Sequence, residues 1–255
     1  NSSFEAVISL KNSCSIIVVD EAHKAVAPTY KICISYLYNE NSTKLIGLTA
    51  TPGRSRNDID EHSVLHTETD ELADFFDRNK VSITNDKGDD VEDPIRFLQE
   101  QEFLSIIKRK KIRTDVEIEL TAKEREFVAN FLEIPNSILN KLAKDDSRNA
   151  LILSEIASLR LNKKQIIMFA LSVEHAHLIT ELLNLKGISA RCIDGNTSPQ
   201  DRSDSIVKYK RNEINVLVNY GVLTTGFDAP NTNAIVITRP TASLVLYSQM
   251  IGRGI

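Results

Sequence analysis

Short apolar runs, each followed or preceded by a stretch with helical spacing, constrain this chain more than any other feature. They fall at residues 15–19, 44–48, 165–169, 188–193, 215–219 and 234–238. A run of that length bounded by turn residues reads as a buried strand, and strands that alternate with helical patterns read as βα units with parallel pairing. The chain therefore reads as an α/β protein built on parallel sheets.

The rhythm occurs twice. In the first part, strands at Ser15 to Val19 and Lys44 to Leu48 flank a helix around Thr29 to Tyr38. The polar stretches Arg54 to Glu71 and Asn79 to Asp93 read as surface excursions, and Arg113 to Leu120 alternates apolar and charged residues as a half-exposed strand would. Thr121-Ala122-Lys123-Glu124 has the spacing of a capping box and opens a helical region that breaks at Pro135 and runs to about Leu161. The second part restarts at Gln165. Ser172 can cap a helix whose Val173, Ala176, Ile179, Leu182 and Leu183 share one face before Gly187 ends it. Ser198-Pro199-Gln200-Asp201 opens another helix, to about Arg211. The expected organisation is a first α/β domain over 1–120, a helical linker over 121–161 and a second α/β domain over 162–255.

Composition narrows the function classes. With 255 residues and 42% hydrophobic content the chain can bury cores for two domains. No stretch approaches the roughly 18 to 20 uninterrupted apolar residues of a membrane span, and the start does not resemble a signal peptide, so the reading is a soluble cytoplasmic protein. Cys14, Cys33 and Cys192 are scattered, which suits reduced thiols and gives no zinc spacing. Nor does a third ligand stand at a suitable spacing from His23, His175 or His177, so none of these is read as a zinc ligand. A net charge of -4 excludes coating of nucleic acid by bulk charge. Two basic clusters, Lys108 to Arg113 and Lys208 to Arg211, are the places where local phosphate contact could occur, against a reading as a solvated loop and a favourable helix end, which is favoured.

Three segments carry chemistry. Asp20-Glu21-Ala22-His23 follows Ile16 to Val19 directly, which puts two carboxylates at the C-terminal end of a buried strand, where open parallel sheets bind ligands. Such a pair either caps a helix or holds magnesium on a nucleotide. Thr49-Ala50-Thr51-Pro52 closes the next strand with a hydroxyl-rich turn. Downstream, Gly221 to Pro230 follows a strand; it is either a glycine turn or a loop where Gly226 lets backbone approach a ligand and Asp228 accepts from a ribose hydroxyl. Gln249-Met250-Ile251-Gly252-Arg253 ends the sequence with a permanently charged, planar guanidinium.

Taken in order, these segments resemble motifs II, III, V and the start of VI, Gln-x-x-Gly-Arg-x-x-Arg, of superfamily 2 DEAD/DEAH-box helicases. Asp93-Pro94-Ile95 through Phe103-Leu104 is also similar to the branch that holds the RadD and XPB types, and the motors of restriction endonucleases share the same motifs. The resemblance implies two RecA-like domains joined by a helical linker, both incomplete at the chain ends. It implies an ATP-dependent DNA helicase or translocase, in DNA repair or processing, whose two domains couple ATP hydrolysis to movement on nucleic acid, with DNA favoured over RNA. Asp20 and Glu21 would hold magnesium and ATP, Glu21 orienting the attacking water. Gly226, Asp228, Gln249 and Arg253 would complete the ATP site, Arg253 as the arginine finger. His23, Thr49 and Thr51 would couple it to nucleic acid, and Ser172, Arg202, Thr224 and Thr225 would contact the strand. A restriction-enzyme motor, an RNA helicase and a non-catalytic helicase-like module are the alternatives; keeping Asp20, Glu21 and Arg253 argues against the last.

The departure from the pattern is the P-loop. None of the nine glycines is followed by lysine, so the reading is a fragment that lacks the phosphate cradle. Such a chain alone is expected to be inactive, with an unpaired sheet edge and uncovered apolar surface.

Overall fold

In the computed structural model the described residues are 8–11, 13–49, 64–85, 87–114, 116, 118–131, 133–222, 229–241 and 243–254. By its internal contacts the chain divides into two units, Asn1–Glu92 and Asp93–Ile255.

The first unit is built on two parallel strands. β1 (Ile16–Asp20) leads through a 3-10 turn (Ala22–Lys24) into helix α1 (Pro28–Leu37), whose proline occupies the first turn, where a missing N–H costs nothing. β2 (Lys44–Leu48) then pairs with β1 in a register that sets Ile16 against Lys44 and Asp20 against Leu48. The hydroxyl of Thr43 donates to the Cys14 carbonyl at 2.8 Å and fixes the start of that register. Side chains alternate between the two faces of a strand. Val19 packs on one face with Ala25, Ile34 and Leu72, joined by Ile17, Leu45, Phe75 and Phe76. The other face presents Ile16, Val18, Ile46 and Leu48, which remain 43 to 58% exposed. An apolar run in the sequence therefore marks a strand without saying how many of its faces are covered.

Helix α2 (Val64–Phe75) lies partly inside the stretch expected to be surface excursion. Its acidic residues Glu68, Asp70, Glu71 and Asp74 dilute the apolar spacing, yet Leu72 is buried against the sheet.

The second unit opens with α3 (Pro94–Glu100), capped by Asp93, which accepts from the Arg96 N–H at 3.0 Å. Residues 113–120, expected to form a strand, pair with no strand among the described residues. The alternation is real nonetheless: Val116, Ile118 and Leu120 pack against the cluster around Leu139 and Leu142. A period of two reports extended backbone with one buried face, and a ladder partner is a separate matter.

Helix α4 (Ala122–Phe131) starts at the expected capping box. Glu124 accepts from the Thr121 N–H at 3.0 Å, and Thr121 accepts from the Glu124 N–H at 3.3 Å. Pro135 precedes α5 (Asn136–Ala143), and Asp145 caps α6 (Asp146–Leu161) by accepting from the Arg148 N–H at 2.7 Å. These helices, read from sequence as a linker, fall within the second unit, and Ile152, Leu153 and Ile156 of α6 enter its core.

The second sheet follows. β3 (Ile166–Phe169) leads to α7 (Val173–Leu185), β4 (Ala190–Ile193), α8 (Pro199–Lys210), β5 (Val216–Asn219), β6 (Ala234–Ile237) and α9 (Leu244–Ile251). All pairings are parallel and the strand order is β4-β5-β3-β6. Every residue of β3 and β5 is buried. Ile166, Met168, Val216 and Val218 face α6 and α7, where Ala176, Ile179 and Leu183 meet them. Ile167, Phe169 and Leu217 face the opposite side with Tyr209 of α8 and Met250 of α9. With about 1.5 to 3 kcal/mol for each fully buried aliphatic side chain, this two-sided core outweighs the one-sided packing of the first unit.

Candidate functional site

All four strands of the second sheet run parallel, as do the two of the first, so each sheet collects its strand C-termini on one edge. In the first unit that edge holds the acidic segment. Glu21 leaves β1 in the left-handed conformation, φ 52°, ψ 49°, which costs a side-chain-bearing residue about 1–2 kcal/mol. Its N–H turns back to donate to Asp20 Oδ1 at 2.8 Å. Glu21 stands at the cap position of the 3-10 turn, yet its side chain makes no cap hydrogen bond, so capping does not explain this carboxylate.

His23 is buried beneath the strand end. Its Nδ1 lies 3.2 Å from Thr49 Oγ1 and 3.4 Å from Glu21 Oε2. Asp20, Glu21, His23 and Thr49 are thus brought together by the β1–β2 register, while Asp20 stays exposed and Glu21 partly so. Two accessible carboxylates are hard oxygen donors of the kind that magnesium takes. Thr51 lies outside the described residues.

In the second unit Ser172 follows β3 and caps α7, accepting from the His175 N–H at 3.1 Å. Arg202, in the first turn of α8, donates from Nη2 to the Asp194 carbonyl at 3.3 Å. Gln249 sits partly buried on α9, next to Met250 in the core, and Arg253 follows in a 3-10 turn (Gly252–Gly254). Thr224, Thr225, Gly226 and Asp228 lie outside the described residues.

Sequence reasoning left three features of this unit unassigned. Arg239, just past β6, lies over the ring of Tyr220, just past β5, with 5.3 Å to the centroid. The basic segment Lys108 to Arg113 is exposed throughout, as expected of a solvated loop, and Lys110 Nζ bonds both oxygens of Glu155 on α6 at 2.7 and 2.8 Å.

The third is a pair of histidine environments on α7. His175 is buried, its Nδ1 accepting from the Leu171 N–H at 3.3 Å and its Nε2 lying 3.1 Å from Asn149 Oδ1. Only the neutral ring with its proton on Nε2 satisfies both contacts. Burial, then the nearby Arg148 charge, pushes its pKa down to about 4. His177, one residue past the next, faces β4, where its Nε2 lies 2.9 Å from Asp194 Oδ2. Burial pushes the Asp194 carboxyl up, but the Asn196 N–H, His177 and Thr197 outweigh it and hold the carboxyl below its ordinary range. Cys192 stands beside them, its thiol pushed up to about 12 by burial and then by Asp194. Sequence spacing offered His177 no third ligand, whereas the fold supplies two, Cys192 on β4 and Asp194 just past its end. The available signal was their i, i+2 spacing at the end of a strand-length run.

The two parallel sheets, joined by helical segments, form a tandem RecA-like α/β fold, and parts of the chain match two known families. Residues 147–255 match the helicase conserved C-terminal domain, and residues 5–54 match the res subunit of type III restriction enzymes. Among curated proteins, the chain is 28% identical over 250 residues to the provisionally named ATP-dependent helicase IRC3 of Saccharomyces cerevisiae, covering 96% of this chain and 32% of that protein. It is 23% identical over 215 residues to the ATP-dependent RNA helicase DRS1 of the same yeast, covering 80% of this chain and 28% of that one. The chain thus spans about a third of the length of these relatives. Among solved structures, the Pyrococcus furiosus Hef helicase domain aligns with 99% of this chain and 72% of its own, at 17% identity and a TM-score of 0.43. No helix among the described residues is long and apolar enough to cross a membrane.

Proposed function

We propose that this chain supplies motor elements of an ATP-dependent nucleic-acid helicase or translocase. The observation that carries the reading is the end of β1, where Asp20 and Glu21 stand accessible, Glu21 holds a strained backbone, and His23 lies sealed against Thr49 of the neighbouring strand. Magnesium, and through it the phosphates of ATP, would fit this donor set, since Asp20 is exposed and only its Oδ1 is engaged by the Glu21 N–H. When bound, they supply the transferable phosphoryl group and the cation that offsets its charge.

The residues then divide the work. Asp20 would hold the metal, and Glu21 would orient the attacking water and accept its proton. His23 reports the position of Glu21 to Thr49 through the Nδ1 contacts they share, with Thr51 continuing that path. Gly226, Asp228 and Gln249 complete nucleotide binding, and Arg253 supplies a fixed positive charge to the transferred group. Ser172, Arg202, Thr224 and Thr225 contact nucleic acid backbone.

The match of residues 5–54 to a restriction-enzyme subunit supports duplex DNA as the track, in DNA processing. The RNA helicase among the relatives supports RNA. ATP turnover by the protein expressed from its full reading frame, measured with single-stranded DNA, duplex DNA and RNA, separates the two. Glu21→Gln is expected to remove nucleic-acid-stimulated turnover, by on the order of a hundredfold or more, while nucleotide binding persists. Undiminished turnover in that variant would defeat the assignment.

A further inference from the structure

Apart from the residues assigned to the motor, His177, Cys192 and Asp194 form the one group of three side chains among the described residues whose donors converge as metal ligands do. We propose that they bind zinc, as a clip between α7 and β4. The imidazole nitrogen, the sulfur and a carboxylate oxygen lie within 4.8 Å of one another, and His177 Nε2 and Asp194 Oδ2 are already 2.9 Å apart. Zinc bonds of about 2.0–2.3 Å at tetrahedral angles put donors about 3.5 Å apart, so a small rotation of side chains closes the set. A nitrogen, a sulfur and one oxygen make a borderline-soft donor set, which suits zinc and not magnesium or calcium.

The surroundings are built as a metal site needs. Asp194 is almost wholly buried, and its Oδ1 accepts from the Asn196 and Thr197 N–H groups at 2.8 and 3.1 Å, which leaves Oδ2 directed at His177. Such outer contacts orient a ligating carboxylate. Cys192 lies on β4, and Asp194 is the residue that follows the strand's end. The His177 side chain is 58% exposed, so the fourth position opens to water. Cys192 ligates as thiolate, its proton passing to solvent, and zinc takes the place of the direct His177–Asp194 contact.

The proposal is independent of the motor reading and is tested without ATP. The full chain, with Cys14→Ser and Cys33→Ser to silence the other thiols, is stripped of metal and titrated with cobalt(II), followed by zinc(II). One equivalent of cobalt is expected, with a thiolate-to-cobalt charge-transfer band that zinc abolishes. Cys192→Ser should remove the band, and His177→Ala, at a mostly exposed position, should weaken affinity tenfold or more while leaving the circular dichroism spectrum unchanged. Zinc should raise the melting temperature of the parent chain but not of His177→Ala. No saturable uptake, a band that survives Cys192→Ser, or equal affinity in His177→Ala would each overturn the site.

Discussion

Acidification should unfasten the second unit through His175. The ring is neutral in the fold, with Leu171 donating to Nδ1 and Nε2 donating to Asn149, which itself donates to the Ala143 carbonyl at 2.9 Å. A second proton would have to sit on Nδ1, facing the Leu171 N–H, close to Arg148 and away from water. Burial and Arg148 accordingly hold the pKa at about 4, against 6.5 for an unperturbed ring. Below 6.5 the unfolded chain therefore binds a proton that the folded one refuses. The stabilisation is full above pH 6.5 and is lost as the pH falls towards 4. Two and a half pH decades at 1.36 kcal/mol each give about 3 kcal/mol in all, of which about 2 kcal/mol is gone at pH 5. Urea unfolding of the full chain, followed by helical circular dichroism at pH 7.5 and pH 5.0, measures the loss. His175→Gln, whose amide can accept from Leu171 and donate to Asn149, cannot titrate, so its stability should fall by about 2 kcal/mol less than the parent's over that interval. Parallel pH dependence in the two proteins, or a His175 ring seen by NMR to titrate near 6.5, would refute the reasoning.

Two further outcomes follow from local geometry. A Cβ added at Gly47 would meet the Phe76 ring at 2.6 Å and the Ala22 Cβ at 2.9 Å, so Gly47→Ala should cost about 1–3 kcal/mol of first-unit stability in denaturant unfolding; an unchanged midpoint would show that the ring yields freely. At Ser172 a pair of substitutions separates capping from phosphate contact. Ser172→Ala should cost about 1 kcal/mol, whereas Ser172→Asp keeps the cap and the stability but should weaken nucleic-acid binding by charge repulsion, and equal binding would remove Ser172 from the interface.

Much of the second unit was legible because its signals are local. The capping residues Thr121, Ser172 and Ser198 each accept from the N–H three residues on, and Gly187 ends α7 with φ 74°. The runs at Ile166 and Val216 became strands buried on both faces. Long-range facts were not legible. Ile16 to Val19 looks like Ile166 to Phe169 in sequence, but only one face of β1 is covered, and that depends on how many elements pack around it. Val116, Ile118 and Leu120 have the period of a strand and its one-sided packing, but pair with no strand among the described residues. The trio at His177 was invisible for the same reason: one donor comes from a helix and two from a strand and the position just past its end, 15 and 17 residues later.

Backbone strain, which no sequence pattern records, separates Glu21 from every other described residue of its kind. Among the described residues six non-glycines have positive φ: Glu21, Asp77, Arg78, Glu102, Lys163 and Asn212. Five of them follow helices. At each of those helix ends the chain closes the same pair of bonds, as where the Glu213 N–H reaches the Lys208 carbonyl at 2.9 Å and the Asn212 N–H reaches Tyr209 at 3.0 Å. The same pairing recurs at Lys163 and Lys164, at Glu102 and Phe103, and at Asp77 and Arg78, so left-handed backbone there offsets its cost by satisfying carbonyls that a helix leaves open. Glu21 follows a strand and precedes a 3-10 turn, and it closes no helix. What its conformation achieves instead is placement: the N–H folds back on Asp20, and the carboxylate comes within 3.4 Å of a buried imidazole. Strain kept where no helix end repays it points to a demand on the side chain, and that demand accords with the water-orienting role proposed for Glu21.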